Sequence, residues 1–238
     1  PLKCRTCSKA LDAAYGYLEK QENEALASTG RKVNSGFFLG YLYLVDGRHP
    51  GNLKRIVQEM GTSVYKNSGG NGNWYTCMSA LFLAEYHRRS PSDVLRQRLI
   101  EVLKEAESRM EPTGGWHHQL GCEVYKEIGS AIDLSILTAM MFSAMLEMKA
   151  SGIPVPARML DAARKNLEAN SDGLGIHYGT RREHPDASMA RGAFAWMGLK
   201  AVPDHPCTLT ERLHKGLKEG YQDTHTGHAY PPLHFLGV

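Results

Sequence analysis

The sequence predicts an all-α protein built from repeated helical hairpins, and three observations carry that prediction. Amphipathic helices alternate with apolar ones, Gly-rich polar stretches lead from the first kind to the second, and Pro-containing turns close each unit. No strictly alternating apolar/polar run competes as a strand. Two kinds of helix favour a ring over a flat stack. Inner helices that are apolar all round belong in the middle, and outer helices with one charged face belong outside.

The amphipathic set comprises roughly Ser8 to Glu22, Gly51 to Met60, Ser92 to Met110, Ala157 to Ala169 and Leu209 to Gly220. The third shows the pattern best. Val94, Leu95, Leu99, Val102, Leu103 and Ala106 recur at spacings of three and four, which predicts one apolar face. Ser92 before it, with Asp93 inside the first turn, predicts an N-cap. The Gly-rich stretches are "STGRKVNSG", "KNSGGNGNW", "EPTGGWHHQLG", "NSDGLGIHYG" and "DTHTGHAYPP". The apolar helices are "WYTCMSALFLAEYH", "IGSAIDLSILTAMMFSAMLEM" and "DASMARGAFAWMGLK". Turns around Pro50, Pro91, Pro156 and Pro206 end the units, because proline cannot continue a helix.

Composition bounds the function. The chain has 238 residues, with 28 Lys+Arg against 25 Asp+Glu, so its net charge of +3 is too balanced for a dedicated nucleic-acid binder. With 42% hydrophobic and 22% charged residues it is expected to be soluble and globular rather than disordered. A chain of this length buries about 70% of its unfolded surface and needs no disulfide or metal to fold. Five cysteines, an odd and sparse set, are no disulfide framework, and Cys4 and Cys7 form one isolated CxxC. The most apolar stretch, Leu134 to Leu146, is too short to span a bilayer and is flanked by Asp133 and Glu147, so no membrane partner is expected. A single domain over residues 1–238 is expected, monomeric if the ring closes. The start at Pro1 without Met is expected of a piece of a longer chain with flanking domains, and the ending "AYPPLHFLGV" reads like the start of another inner helix, so the ring either closes with five hairpins or lacks a sixth.

The segments "SGGNGNWYTCMSALFLAEYHRRSP" and "EPTGGWHHQLG", with "SDGLGIHYG" as a weaker echo, resemble the α/α-toroid superfamily of terpenoid-cyclase and protein-prenyltransferase type. The resemblance implies an α/α toroid of about five to six helical hairpins, with the Gly-rich loops at one rim and ligands at the mouth of a central cavity. The chain departs from the family's chemistry. It has no Asp-x-Asp-Asp acid motif, no Gln-and-Trp repeat and no Asp-x-Cys zinc motif, and "GCEVYKE" is not a thioester motif. Fold alone does not give function.

Histidine placement is the strongest chemical signal. Of eleven histidines, His117, His118, His177, His225 and His228 lie in Gly-rich loops and His184 follows one. In a toroid these six share a rim. Histidine is the commonest metal ligand and general base near neutral pH. The candidate catalytic residues are therefore His117, His177, Tyr178, Asp186, Arg191 and His228. His117, His177 and His228 are the candidate ligands for a divalent metal such as zinc. Asp133, in an otherwise apolar helix, is expected to orient a histidine or complete a metal shell. Trp74, Tyr75, Trp116 and Tyr230 are candidate stacking platforms, and Asp133 and Arg181 candidate polar contacts, for a small-molecule or glycan ligand in the cavity. Ser188 and Cys77 are weaker candidates for a nucleophile, and GxSxG is absent.

These residue types suit an enzyme acting on a carbohydrate or similar polar substrate. The chemistry is metal-assisted hydrolysis, or lyase-type elimination with Tyr or His as base and Arg against a carboxylate. The competing readings are a non-catalytic ligand- or protein-binding scaffold within a larger protein, and an isoprenoid cyclase-like enzyme.

Overall fold

The computed structural model of the chain describes residue 9 and residues 12–20, 33–47, 49–62, 72–118, 133–172, 175–179, 189–201 and 209–219. The chain divides into two compact units, Pro1–Gly69 and Gly70–Val238. The described residues are mostly helical, in agreement with the all-α expectation.

In the first unit, residues 12–20 (α1) are followed by α2 (Val33–Asp46) and α3 (Pro50–Gly61), which pack together. The "VNSG" end of the first Gly-rich stretch, expected as loop, lies inside α2, because the apolar run "FFLGYLYLV" extends the helix backward through it. An aromatic cluster closes this unit. The Tyr15 and Tyr43 rings stack at 5.3 Å, and Tyr15 donates its hydroxyl to the Leu42 carbonyl at 2.9 Å. Tyr43 donates to Glu19 at 2.5 Å. Burial, then that bond to a carboxylate, push the Tyr43 phenol up to about 12.

The second unit is a row of helical hairpins. Its apolar helices are α4 (Gly72–Arg89), α6 (Ser135–Ala150) and α8 (Met189–Ala201). α6 packs against α4 on one side and α8 on the other. Each is paired with the amphipathic helix after it: α5 (Asp93–Ser108) with α4, α7 (Ala157–Ala169) with α6, and α9 (Leu209–Glu219) with α8. Every residue of α6 from Ser135 to Met148 is buried, as an apolar perimeter requires. Close approach explains the small residues in the row. A side chain at Gly198 of α8 would collide with the Ser143 backbone of α6, and Ser143 Oγ both donates to the Phe194 carbonyl and accepts from the Gly198 N–H at 3.0 Å.

The outer helices bury one stripe each. In α5 this is Leu95, Leu99, Val102, Leu103 and Ala106. Val94, expected on that face, is 79% exposed, because one residue along a helix turns the side chain by about 100°. Ser92 sits at the N-cap but its side chain makes no cap bond. Its backbone N–H donates instead to His87 Nδ1 at 3.2 Å. The α6–α7 turn is tied to α5 by Arg96, which donates to the Gly152 carbonyl at 3.1 Å. Arg158 of α7 pairs with Glu107 of α5 at 2.7 Å. One small antiparallel pairing, β1 (Ser171–Asp172) with β2 (Gly175–Ile176), breaks the all-helical expectation within the fourth Gly-rich stretch.

Candidate functional site

Helix N-termini leave backbone N–H groups without partners, and something must accept from them. In the second unit the loops do so. Leu134 and Ser135, at the start of α6, have no side-chain cap; their N–H groups donate to the Trp116 carbonyl at 2.8 Å and the Tyr178 carbonyl at 3.0 Å. Leu134 and Gly179 form an isolated antiparallel bridge. At the start of α4, Asn73 donates its amide to the His117 carbonyl at 2.9 Å, and Trp74 donates its indole N–H to His118 Nδ1 at 2.8 Å. At the start of α8, Arg191 donates to the Ile176 carbonyl at 3.0 Å, and its guanidinium lies over the Tyr178 ring, 5.3 Å from the centroid. Residues 111–118 and 175–179 therefore meet the N-terminal ends of the three inner helices of this unit at one end of it.

Two glycines fix the first loop there. Gly114 has φ +86°, and a Cβ on it would strike the Ala162 carbonyl of α7. A Cβ on Gly115 would strike the Asp133 carboxylate. Between them the turn is closed by Glu111 N–H to Gly115 O at 2.9 Å and Gly114 N–H to Glu111 O at 2.8 Å.

The structure brings His117, His177, Tyr178 and Arg191 to this one end, together with Trp74, Trp116, Tyr75 and Asp133. Their burial separates their roles. Tyr178, His117, His118 and Trp74 are half-buried, while His177 and Arg191 are buried, at 5% and 2% exposure. Asp133 departs from expectation. It lies just before α6 rather than inside it, and its carboxylate accepts from Thr113 Oγ1 at 3.0 Å and from the Asn166 amide. Asn166 also donates to the Thr113 carbonyl at 3.1 Å and accepts from Asn170 at 3.1 Å, and the Asn170 carbonyl accepts the His177 N–H at 2.9 Å. The buried carboxylate is thus the centre of a brace between loop 111–118, α6, α7 and loop 171–179, as a desolvated acid needs.

Trp116 and Tyr75 are corrected in the same way. Trp116 is 1% exposed with its indole N–H on the Ala106 carbonyl at 2.8 Å, capping the end of α5, and Tyr75 is 5% exposed. Neither ring presents a face to a ligand. Cys77 is fully buried, and desolvation pushes its thiol well above the usual range, which removes it as a nucleophile. Among the described residues no three His, Cys, Asp or Glu side chains are grouped to hold a metal ion. Asp186, Arg181, His228, Tyr230, His184, Ser188 and the Cys4/Cys7 pair lie outside the described residues.

His118 is the residue at this end that sequence reasoning left unassigned. Burial first, then the neighbouring His117, hold its imidazole below the ordinary histidine range. Its partner Trp74 is 44 residues away, and no local spacing announces the pair. Among the described residues no helix is long and apolar enough to cross a membrane. No protein-family model matches the chain, nor does any curated protein or solved structure.

Proposed function

We propose that residues 70–238 form an α/α-toroid-type array of helical hairpins that takes an acidic glycan at the loop end and cleaves it by elimination. The observation that carries this reading is the Arg191–Tyr178 pair, a guanidinium stacked on a half-buried phenol beside His177, where three inner helices begin. Helix N-termini and a guanidinium together favour an anion such as a uronate carboxylate. Tyr178, reacting as its phenolate, takes the proton from the carbon next to that carboxylate. The charge spreads onto the carboxylate oxygens, the glycosidic C–O bond at the next carbon breaks as the C=C forms, and Tyr178 returns the proton to the leaving oxygen. Arg191 orients Tyr178 and lends positive potential to the site.

A second reading has its own support. Asn73 and Arg191 bond to loop backbone, Trp74 to the His118 side chain and Asp133 to the brace, as a non-catalytic binding module would need for a rigid ligand end. For the isoprenoid reading, two of its candidate rings, Trp116 and Tyr75, are packed away, and Trp74 and Tyr178 are the half-buried rings at this end.

The test is an ultraviolet assay for unsaturated uronates on galacturonan, alginate and chondroitin, with calorimetric binding of their oligomers beside it. Wild type is expected to cleave at least one. Tyr178→Phe should lower the rate by at least about 100-fold, and Arg191→Lys, which keeps charge but loses the planar fork, by about 10-fold. Binding without cleavage would favour the module. Neither binding nor cleavage would end the glycan reading.

A further inference from the structure

The loop end holds one pair that the elimination chemistry does not use. Trp74 and His118 are both half-buried, joined by the 2.8 Å indole N–H to Nδ1 bond, with ring centroids 5.9 Å apart and planes at 30°. The adjacent Asn73–His117 bond at 2.9 Å registers the same loop step on the first turn of α4. The direction of the Trp74–His118 bond is fixed by chemistry. An indole N–H only donates, and an imidazole nitrogen that accepts carries no proton. Neutral His118 therefore carries its one proton on Nε2.

We propose that His118 contacts ligand at this end, presented as an Nε2–H donor to a hydroxyl or carboxylate oxygen of the glycan, and that Trp74 is the positioning residue that fixes this tautomer. The identity of the ligand rests on the glycan reading above; the tautomer does not. A single donor of fixed direction, held on the helix row by Trp74, discriminates by geometry. A ligand without an acceptor oxygen at that point leaves the donor unmatched, and such mismatches dominate polar specificity. The opposite tautomer would turn a bare nitrogen towards the ligand, which cannot donate to a carboxylate oxygen and meets a hydroxyl only as an acceptor.

The test combines imidazole ¹⁵N NMR with calorimetric titration of a uronate oligomer, using the galacturonate, mannuronate or chondroitin oligomer that wild type binds most tightly. In wild type His118 is expected as the Nε2–H tautomer. Trp74→Phe keeps a ring but removes the donor, so the Nδ1–H form should appear and affinity fall by about 3- to 10-fold, the scale of one hydrogen bond. His118→Ala should lose about 10-fold, and His118→Gln, whose amide N–H reaches near the Nε2 position, should recover most of it. Three results would overturn the proposal: an Nδ1–H signature in wild type, unchanged oligomer affinity in His118→Ala, or a Gln variant as weak as the Ala variant, which would reduce the pair to a structural stitch. Each of these leaves wild-type binding intact, so the glycan reading survives them. A wild type that binds no oligomer overturns both.

Discussion

At their N-terminal ends α4, α6 and α8 meet loops that offer carbonyl oxygens, imidazoles, a phenol and an indole. At their C-terminal ends α4 and α6 meet each other through two buried carboxyls. Glu85 and Glu147 are hydrogen-bonded there, with Arg88 Nε 2.5 Å from Glu147, and with Arg88 and Arg89 reaching Glu85 at 3.3 and 2.6 Å. Helix C-termini repel acids and attract cations, so the two arginines are what makes this pairing tolerable. The contrast separates two tasks. At the N-terminal end loop backbone and side chains, with Arg191 over Tyr178 and Asp133 in its brace, hold the helix starts, whereas the C-terminal end is a clamp of two carboxyls and two arginines.

The sharpest way to break the N-terminal end is Gly115→Ala. Its methyl would push into the Asp133 carboxylate, the acceptor for Thr113 and Asn166. Overpacking together with damage to a buried polar network is expected to cost about 3 kcal/mol or more in urea unfolding. A loss under about 1 kcal/mol would mean that the loop is not locked against α6 as described.

The C-terminal end should respond to pH instead. Burial first, then the Glu85 charge, raise Glu147 from an ordinary 4.5 to about 7. A carboxyl whose folded value is raised favours the folded state while protonated. Its contribution is full below pH 4.5 and is lost as pH rises through about 7, a difference on the order of 3 kcal/mol. Glu147→Gln, which mimics the protonated acid, should flatten this fall between pH 5 and 8, measured by thermal melts across that range. If wild type and Glu147→Gln showed the same pH profile, the clamp would not be a proton-sharing pair.

These two ends were not equally legible in the sequence. Periodicity and Pro and Gly punctuation locate α4, α5 and α7 and the C-terminal ends of α6 and α8 within two residues, because burial pattern is written locally; α6 begins at Ser135, seven residues after the expected Ile128, and α8 at Met189. That His117, His177 and Tyr178 lie in loops at the starts of the inner helices follows from loops repeating at the same point of each hairpin; Arg191 joins them from the first turn of α8. Other features depend on long-range partners. Asp133 reads as a histidine orienter or ligand contact until Thr113 and Asn166 are placed beside it, Trp116 reads as a platform until its N–H finds Ala106, and nothing local marks Glu147 as the partner of Glu85.

Ser92 and His87 give the smallest and most discriminating comparison, at the clamp end. A sequence reading assigns Ser92 as a side-chain cap, and an ordinary cap-to-Ala change costs about 1 kcal/mol. Here the acceptor at that turn is His87 Nδ1, taking the Ser92 backbone N–H at 3.2 Å, and a backbone donor survives replacement of its side chain. Ser92→Ala is therefore expected to change stability by less than about 0.5 kcal/mol. His87→Ala, which removes the acceptor and a buried ring, should cost about 1 to 3 kcal/mol. pH separates His87 from the clamp beside it. Burial first, then Arg96, hold its imidazole below the ordinary 6.5, and Asp93 opposes them. The neutral ring is the folded form, so its contribution is complete above pH 6.5 and fades as pH falls, opposite in sign to Glu147. Thermal melts of His87→Ala should therefore lie furthest below wild type at pH 8 and approach it towards pH 5. A constant gap would mean that His87 supports the turn by packing alone.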